Sequence, residues 1–380
     1  MVQILLEGLR ADARFEVHHV DARVSDDLED LGSFRPQKFI RLFKCILQAW
    51  WLRLRHGPMA FYYVPAPAKR SAIMRDWVVM ALCRPLFPEL ILHWHAYGLG
   101  EWASEGNDWS RKLTRRALRK ADLSIVLNNY NKQDAAVFEP KRIEVVPNGI
   151  ADQFPDYETA LAPKRKDRAA ALKALRAVAG NESRVAGEEI ANLETVRFLF
   201  LGHLIETKGV LVAIEATGLA NEELRGAKAA WRAHLTLAGS FAAEEEKVRV
   251  LAAIDRVNVD AGEEDPCVLL AGFLDSGQKK SALDKADCLV FPTFYESEAQ
   301  PLVLLEAMSA GLPIITTSWR GVAEVLPQGY PAPATPKSAT DYVDCMLRVA
   351  ERCRSNDLRH QFTEHFTLQK HVISLLARLY

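Results

Sequence analysis

The sequence lacks any paired-cysteine motif: its six cysteines, at 45, 83, 267, 288, 345 and 353, form no CxxC. Several sit among apolar residues, which reads as free thiols buried in a reducing compartment. It also lacks an uninterrupted apolar run of about 18 residues, so no membrane span is predicted. The first residues do not show the charged-then-apolar layout of a secretory signal. Net charge is close to zero too, with 48 Lys and Arg against 49 Asp and Glu, and that balance predicts no nucleic-acid partner. There is no internal repeat and no long low-complexity tract. The expected location is cytoplasmic, with peripheral contact at the inner membrane face.

What is present is enough chain for two domains: 380 residues, about half of them apolar. Strand-like and helix-like segments alternate. Residues 1–10 read as the end of a helix and 15–21 as a strand. Helical spacing over 36–55 is followed by strands at 59–64 and 90–95, separated by a helix over 69–85. A basic helix over 109–120 precedes strands at 122–127 and 143–146, then a turn at Asn148 and Gly149. Composition changes over 151–195, where prolines, a Lys/Arg run and an Ala-rich stretch read as linker and helix. The strand pattern restarts at 196–201 and continues at 235–239, 268–272, 287–292 and 314–317. This is a layered α/β pattern. The expected divisions are a Rossmann-like domain over 1–155, a linker over 156–195, a second Rossmann-like domain over 196–335, and C-terminal helices over 336–380 that cross back to the first domain.

The richest stretch runs from Phe294 to Pro313. Glu298 falls in a turn after an apolar strand, and Glu306 falls eight positions later inside a helix opened by Pro301. The N–H groups of Leu302, Val303 and Leu304 would then face an anion such as a diphosphate. Glu306 would suit two vicinal hydroxyls of a ribose. The plainer alternative is that Glu298 caps the helix and Glu306 faces solvent.

Upstream, a strand ends at Gly202, followed by His203 and, six residues after the glycine, Lys208. A glycine allows close approach of a phosphate and a lysine neutralises it; an ordinary strand–turn–helix with an exposed lysine would look the same. His93 and His95 end a strand on one face with Trp94 opposite. With no Cys, Asp or Glu at ligand spacing, they make no metal site. Arg111, Lys112, Arg115, Arg116, Arg119 and Lys120 crowd one short helix, and Trp50 and Trp51 adjoin Arg53 and Arg55. The two readings of this basic character are a solvated surface and a contact with anionic lipid or a phosphate-bearing acceptor.

Taken together, several segments carry a resemblance: Glu298-x7-Glu306 continued by Ala307, Met308, Gly311 and Pro313; Gly321 and Glu324; Asn148-Gly149-Ile150; Gly202 to Gly209; Gly272; and Ala286-Asp287. The chain resembles the retaining glycosyltransferases of the GT-B group often called family 4. These matches span most of residues 90–330. The resemblance implies two Rossmann-like domains facing across a cleft, with a nucleotide-sugar donor held mainly by the second. It implies His95 (or, less well, His93), Glu298 and Lys208 as the residues at the transferred sugar and diphosphate. Gly202, His203, Lys208, Gly272, Leu302, Val303 and Glu306 would be donor contacts, with the base near Gly272 and Phe273. It implies no metal and no cofactor.

The implied reaction moves a sugar, with retention, to a glycan or lipid-linked acceptor in cell-surface polysaccharide or glycolipid synthesis. The alternatives are a non-catalytic nucleotide-sugar-binding scaffold and, further off, a sugar-nucleotide epimerase. Two departures stand out. His203 occupies a position usually held by Arg, with Arg320 as a substitute cation. Members also open with a strand and a glycine-rich loop, whereas this chain begins in what reads as the following helix. The first domain is therefore expected to lack its first strand, through a misassigned start codon or in an impaired protein.

Overall fold

The computed structural model describes residues 6, 8–10, 14–21, 36–179, 194–261 and 266–379. The chain forms two compact units. The first comprises Met1–Gly149, Glu296–Gln300 and Leu368–Tyr380; the second comprises Ile150–Tyr295 and Pro301–Thr367. Residues 8–10 are helical, while most of the helix expected over 1–10 lies outside the described residues.

The first unit contains helix α1 (Pro36–His56), strand β1 (Ala60–Tyr63), α2 (Arg70–Cys83), β2 (Glu89–His93), α3 (Leu99–Ser104), α4 (Trp109–Leu118), β3 (Leu123–Val126), α5 (Lys132–Ala136) and β4 (Ile143–Val145). The four strands are parallel and pair in the order β1-β2-β3-β4. All four β3 residues, Ser124 among them, are buried, the mark of a strand covered on both faces.

The strand expected over 15–21 is not formed. Alternation breaks at His18-His19: Val17 packs with Leu9 and Ile91, whereas Val20 packs with the cluster of Leu42 and Ile46. Glu16 instead pairs with His18 at 3.0 Å and with His56, at the end of α1, at 3.2 Å. The short helices α3 and α5 escape periodicity analysis because each is under two turns. They brace one another. Gly98 takes the left-handed conformation before α3, and the Asp134 carboxylate on α5 accepts from the N–H groups of Gly98 (3.1 Å) and Glu101 (2.8 Å).

The second unit contains α6 (Ala162–Ala179), β5 (Glu194–Leu201), α7 (Val210–Gly226), β6 (Trp231–Ala238), α8 (Glu244–Ala261), β7 (Val268–Gly272), α9 (Ser276–Lys285), β8 (Cys288–Phe291), α10 (Leu302–Ser309), β9 (Ile314–Thr316), α11 (Ala339–Leu347) and α12 (Ser355–His365). Its five parallel strands run β7-β6-β5-β8-β9. The chain leaves β5 in one direction and returns to β5's other side at β8, so the order reverses between those two strands. Open parallel sheets bind ligands at such a reversal, beyond the strands' carboxyl ends.

Two expected divisions differ in the structure. Residues 162–179 are no mere linker, because α6 is fastened into the second unit. Buried Arg165 donates to the carbonyls of Leu283 (2.6 Å), Ala286 (2.5 Å) and Ala310 (3.2 Å), which close α9 and α10. The C-terminal helices also do not act as one body. α11 and α12 belong to the second unit, and the last helix, Leu368–Leu379, belongs to the first.

Candidate functional site

In the second unit, the strand ends at the reversal point are built for close approach. Gly202 ends β5, and Gly239 ends β6 so tightly against it that a Cβ on Gly239 would lie 1.7 Å from the Gly202 carbonyl oxygen. The turn Glu206–Lys208 follows, closed by Gly209 at φ +82°, where a Cβ would meet the Pro292 carbonyl at 2.1 Å. The Thr207 carbonyl accepts from the Phe294 N–H at 2.8 Å. These contacts pin the Lys208 turn to the loop after β8. Lys208 Nζ lies 5.7 Å from the Phe291 ring centre and 4.9 Å from that of Tyr295. The loop after β9 reaches the same place, where Trp319 Nε1 donates to the Tyr295 carbonyl at 3.0 Å and the Arg320 guanidinium stacks on Trp319 at 5.1 Å. His203 is exposed, with Ser240 Oγ 3.4 Å from its Nδ1. Gly272 ends β7 at φ +70°, and Phe273 after it is 76% exposed.

Helix α10 begins after Pro301 with no side-chain cap and no acidic residue in its first turn. Helix geometry leaves the N–H groups of Leu302 and Val303 without intrahelical acceptors, so the end favours an anion. The Leu304 N–H, expected to be free, bonds to the Pro301 carbonyl at 3.3 Å. Glu306 is half-buried on α10 and receives Lys279 Nζ from α9 at 2.5 Å. Simple solvent exposure of Glu306 is thereby excluded. The contact engages Oε1 of the carboxylate.

Glu298 does not share a unit with Glu306. The segment Glu296–Gln300 groups with the first unit, where three hydrogen bonds hold it. The Ser297 carbonyl accepts from Tyr97 N–H (3.3 Å), the Ala299 carbonyl from Asn128 Nδ2 (2.8 Å), and Gln300 Oε1 from Asn148 N–H (2.6 Å). Glu298 is buried there, and it precedes α10 by too many residues to be its cap. These partners follow the carboxyl ends of β2, β3 and β4, so this too is a strand-end site.

Beside it, β2 ends at His93, whose Nδ1 meets the Tyr62 hydroxyl. The His95 ring is 4.1 Å from that of His93, and His371 lies 6.4 Å from His93 on the other side. Burial, helped by the neighbouring His371, pulls the His95 pKa down to about 4. Burial and the adjacent histidines hold His93 well below the usual imidazole range. His95 is therefore a neutral hydrogen-bonding group at pH 7. Buried side-chain atoms without a protein partner gather along this edge: His93 Nε2, Asn131 Nδ2, Asn148 Oδ1 and Gln300 Nε2. Such atoms are uncommon in folded proteins and mark polar sites.

Sequence reasoning missed Lys279, Asn128, Gln300 and His371. A signal existed for Lys279, since Asp275-x-x-Gln278 reads as a capping box and the structure forms one. Asn128, Gln300 and His371 carry no local signal, because their roles arise from long-range pairing. Arg111 and Arg115, counted within the basic helix, turn inward. Arg111 bonds to Asp108 and the Trp102 carbonyl, and Arg115 to the Ala103 and Gly106 carbonyls.

Among the described residues, the group of potential metal ligands is Glu16, His18 and His56, whose ligand atoms lie within 4.8 Å of one another. None of them is an expected site residue. A cavity of about 470 Å³ lies at the opposite, amino-terminal end of the second sheet, lined by residues including Lys164, Arg168, Arg197, Asp284 and Asp287. Lys164 pairs there with Asp284, and Arg168 and Arg197 pair with Asp287.

The two parallel sheets with their helices make an α/β fold of GT-B architecture. It is similar to the structure of sucrose-phosphate synthase (tll1590) from Thermosynechococcus elongatus, with a TM-score of 0.66 at 16% identity over 100% of this chain and 91% of that one. It is also similar to Anabaena Alr3699/HepE solved in complex with UDP-glucose, with a TM-score of 0.61 at 15% identity over 91% and 84% of the two chains. Residues 195–352 match the family described as Glycosyl transferases group 1. Among curated proteins, the amylovoran biosynthesis glycosyltransferase AmsK of Erwinia amylovora is 28% identical over 137 residues, which is 35% of this chain and 30% of that protein. The match to such relatives thus spans less than a third of their length.

Proposed function

We propose that this chain is a retaining glycosyltransferase that moves a sugar from a nucleotide-sugar donor to a glycan or lipid-linked acceptor in surface polysaccharide assembly. The observation that carries the reading is the second unit's strand-end site. There Lys208, the uncapped α10 end and the Glu306–Lys279 pair occupy the segment matching the glycosyl transferases group 1 family. The similarity to AmsK, named for amylovoran biosynthesis, and to HepE in complex with UDP-glucose supports the pathway class and the donor class.

In this reading, Glu306 Oε2 accepts from the donor ribose while Lys279 holds the carboxylate in place. Lys208 and the N–H groups of Leu302 and Val303 take the diphosphate. As the glycosidic bond to the donor phosphate breaks, negative charge grows on the departing oxygen, and these groups stabilise it electrostatically. The departing phosphate takes the acceptor proton, and the acceptor oxygen bonds to the anomeric carbon from the same face. Glu298 and neutral His95 hydrogen-bond the transferred sugar. Arg320 is the candidate for the role that His203, exposed and short of a guanidinium fork, fills poorly.

The test is a transfer assay that screens UDP-, GDP- and ADP-sugars with product mass spectrometry. Transfer by the wild type, reduced at least about a hundredfold in Glu306→Ala through loss of donor binding, is the expected result. Donor binding without transfer to any glycan or lipid-linked acceptor favours the scaffold reading, and unchanged activity in Glu306→Ala rejects the site.

A further inference from the structure

Helix α1 has two apolar faces. The inner one, formed by Leu42, Ile46 and Ala49, packs with Val79 and Cys83 of α2. The outer one holds Ile40, Phe43, Leu47, Trp51 and Leu54. Leu54 is 84% exposed and the other four are 55–57% exposed. At about 100° per residue these five lie within an arc of about 80°. Soluble surfaces usually scatter such side chains singly, so a continuous stripe of five marks a contact surface.

One flank of the stripe is basic. Arg41, Lys44 and Arg55 are exposed and follow it around the helix, and the Arg55 guanidinium lies 5.5 Å over the Trp51 ring. Arg53 falls on the other side and is turned inward, donating to the Leu86 carbonyl at 2.7 Å. The helix contains no Asp or Glu along its 21 residues.

We infer that α1 lies flat on a bilayer containing anionic phospholipid. Ile40, Phe43, Leu47, Trp51 and Leu54 enter the acyl boundary, and Arg41, Lys44 and Arg55 meet the phosphates. Charge selects this occupant: a second copy of the chain would oppose two cationic flanks, whereas an anionic headgroup layer complements them. No described helix is long and apolar enough to cross a membrane, so the helix rests on the surface. This inference stands independently of the transferase reading.

Vesicle flotation tests it, using phosphatidylglycerol–phosphatidylcholine mixtures against pure phosphatidylcholine. The wild type should partition onto the anionic vesicles at least about tenfold better than onto the neutral ones. The double variant Leu47→Glu/Trp51→Glu should lose at least about tenfold on anionic vesicles while keeping the wild-type circular dichroism melt, because neither side chain belongs to the buried cluster between α1 and α2. The triple variant Arg41→Gln/Lys44→Gln/Arg55→Gln should lose a similar factor on anionic vesicles only. Equal partitioning of wild type and variants, or no vesicle binding by the wild type, overturns the inference. So does a wild-type dimer in light scattering that the Leu47→Glu/Trp51→Glu change converts to monomer.

Discussion

His95 shows how environment sets chemistry at the scale of one residue. Its imidazole is neutral well below pH 6.5 because it is buried near His371, and His93 and His371 are shifted the same way. The sign for stability follows. The unfolded chain protonates these histidines near pH 6.5, whereas the folded chain holds His95 neutral down to about 4. Their contribution is complete above pH 6.5 and is lost progressively as pH falls toward 4. Denaturant midpoints measured from pH 7.5 to 4.5 should therefore fall with acid, and His95→Gln should flatten part of that decline. Parallel pH curves for the two proteins would contradict this account. The sequence placed His93 and His95 on one strand end but carried no trace of His371, which arrives from a helix more than 270 residues later.

Elements explain why the second unit holds its site. Lys208 can serve an anion because Gly209 lets its turn touch Pro292, and a side chain at Gly209 would force the turn and the loop after β8 apart. Helix α10 presents an uncapped amino end because Pro301 opens it without a capping side chain. Its carboxyl end is held by Arg165, whose guanidinium also closes α9. Arg165→Met should leave three buried carbonyls without their donor and destabilise the second unit by about 3 kcal/mol, read as a lowered denaturant midpoint. A midpoint within experimental scatter of the wild type would show that water replaces those bonds. Much at this scale was legible: β5 to β9 appear where apolar runs predict them, and Pro301 sits at the start of α10 as its spacing implied. The linker-and-helix reading of 151–195 meets a helix at Ala162–Ala179, but its Lys/Arg run looks solvated in the sequence. Only the structure shows that Arg165 and Arg168 point into the second unit, where Arg168 meets buried Asp287 at 2.9 Å.

At the scale of the whole molecule, the two units divide the expected site residues. Glu298, His93 and His95 belong to the first, and Lys208, Glu306 and Lys279 to the second. The eight-residue spacing between Glu298 and Glu306 therefore runs from one unit into the other. Five residues, Glu296–Gln300, leave the second unit's sequence and hydrogen-bond to Tyr97, Asn128 and Asn148 of the first. Fold class was readable because alternating strands and helices leave a strong period in the sequence. This exchange was not, because it rests on side-chain hydrogen bonds between residues 152 and 171 positions apart, Asn148 with Gln300 and Asn128 with Ala299.

The central claim is that the end of α10 and Lys208 form an anion site for a donor diphosphate, and titration calorimetry with UDP-glucose and its GDP and ADP counterparts tests it most directly. The account predicts that one donor binds the wild type, that Lys208→Met weakens it by about ten- to a hundredfold, and that the loss shrinks for the free nucleoside, which lacks the phosphates. Equal donor affinity in wild type and Lys208→Met, or an equal loss for the nucleoside, would contradict it.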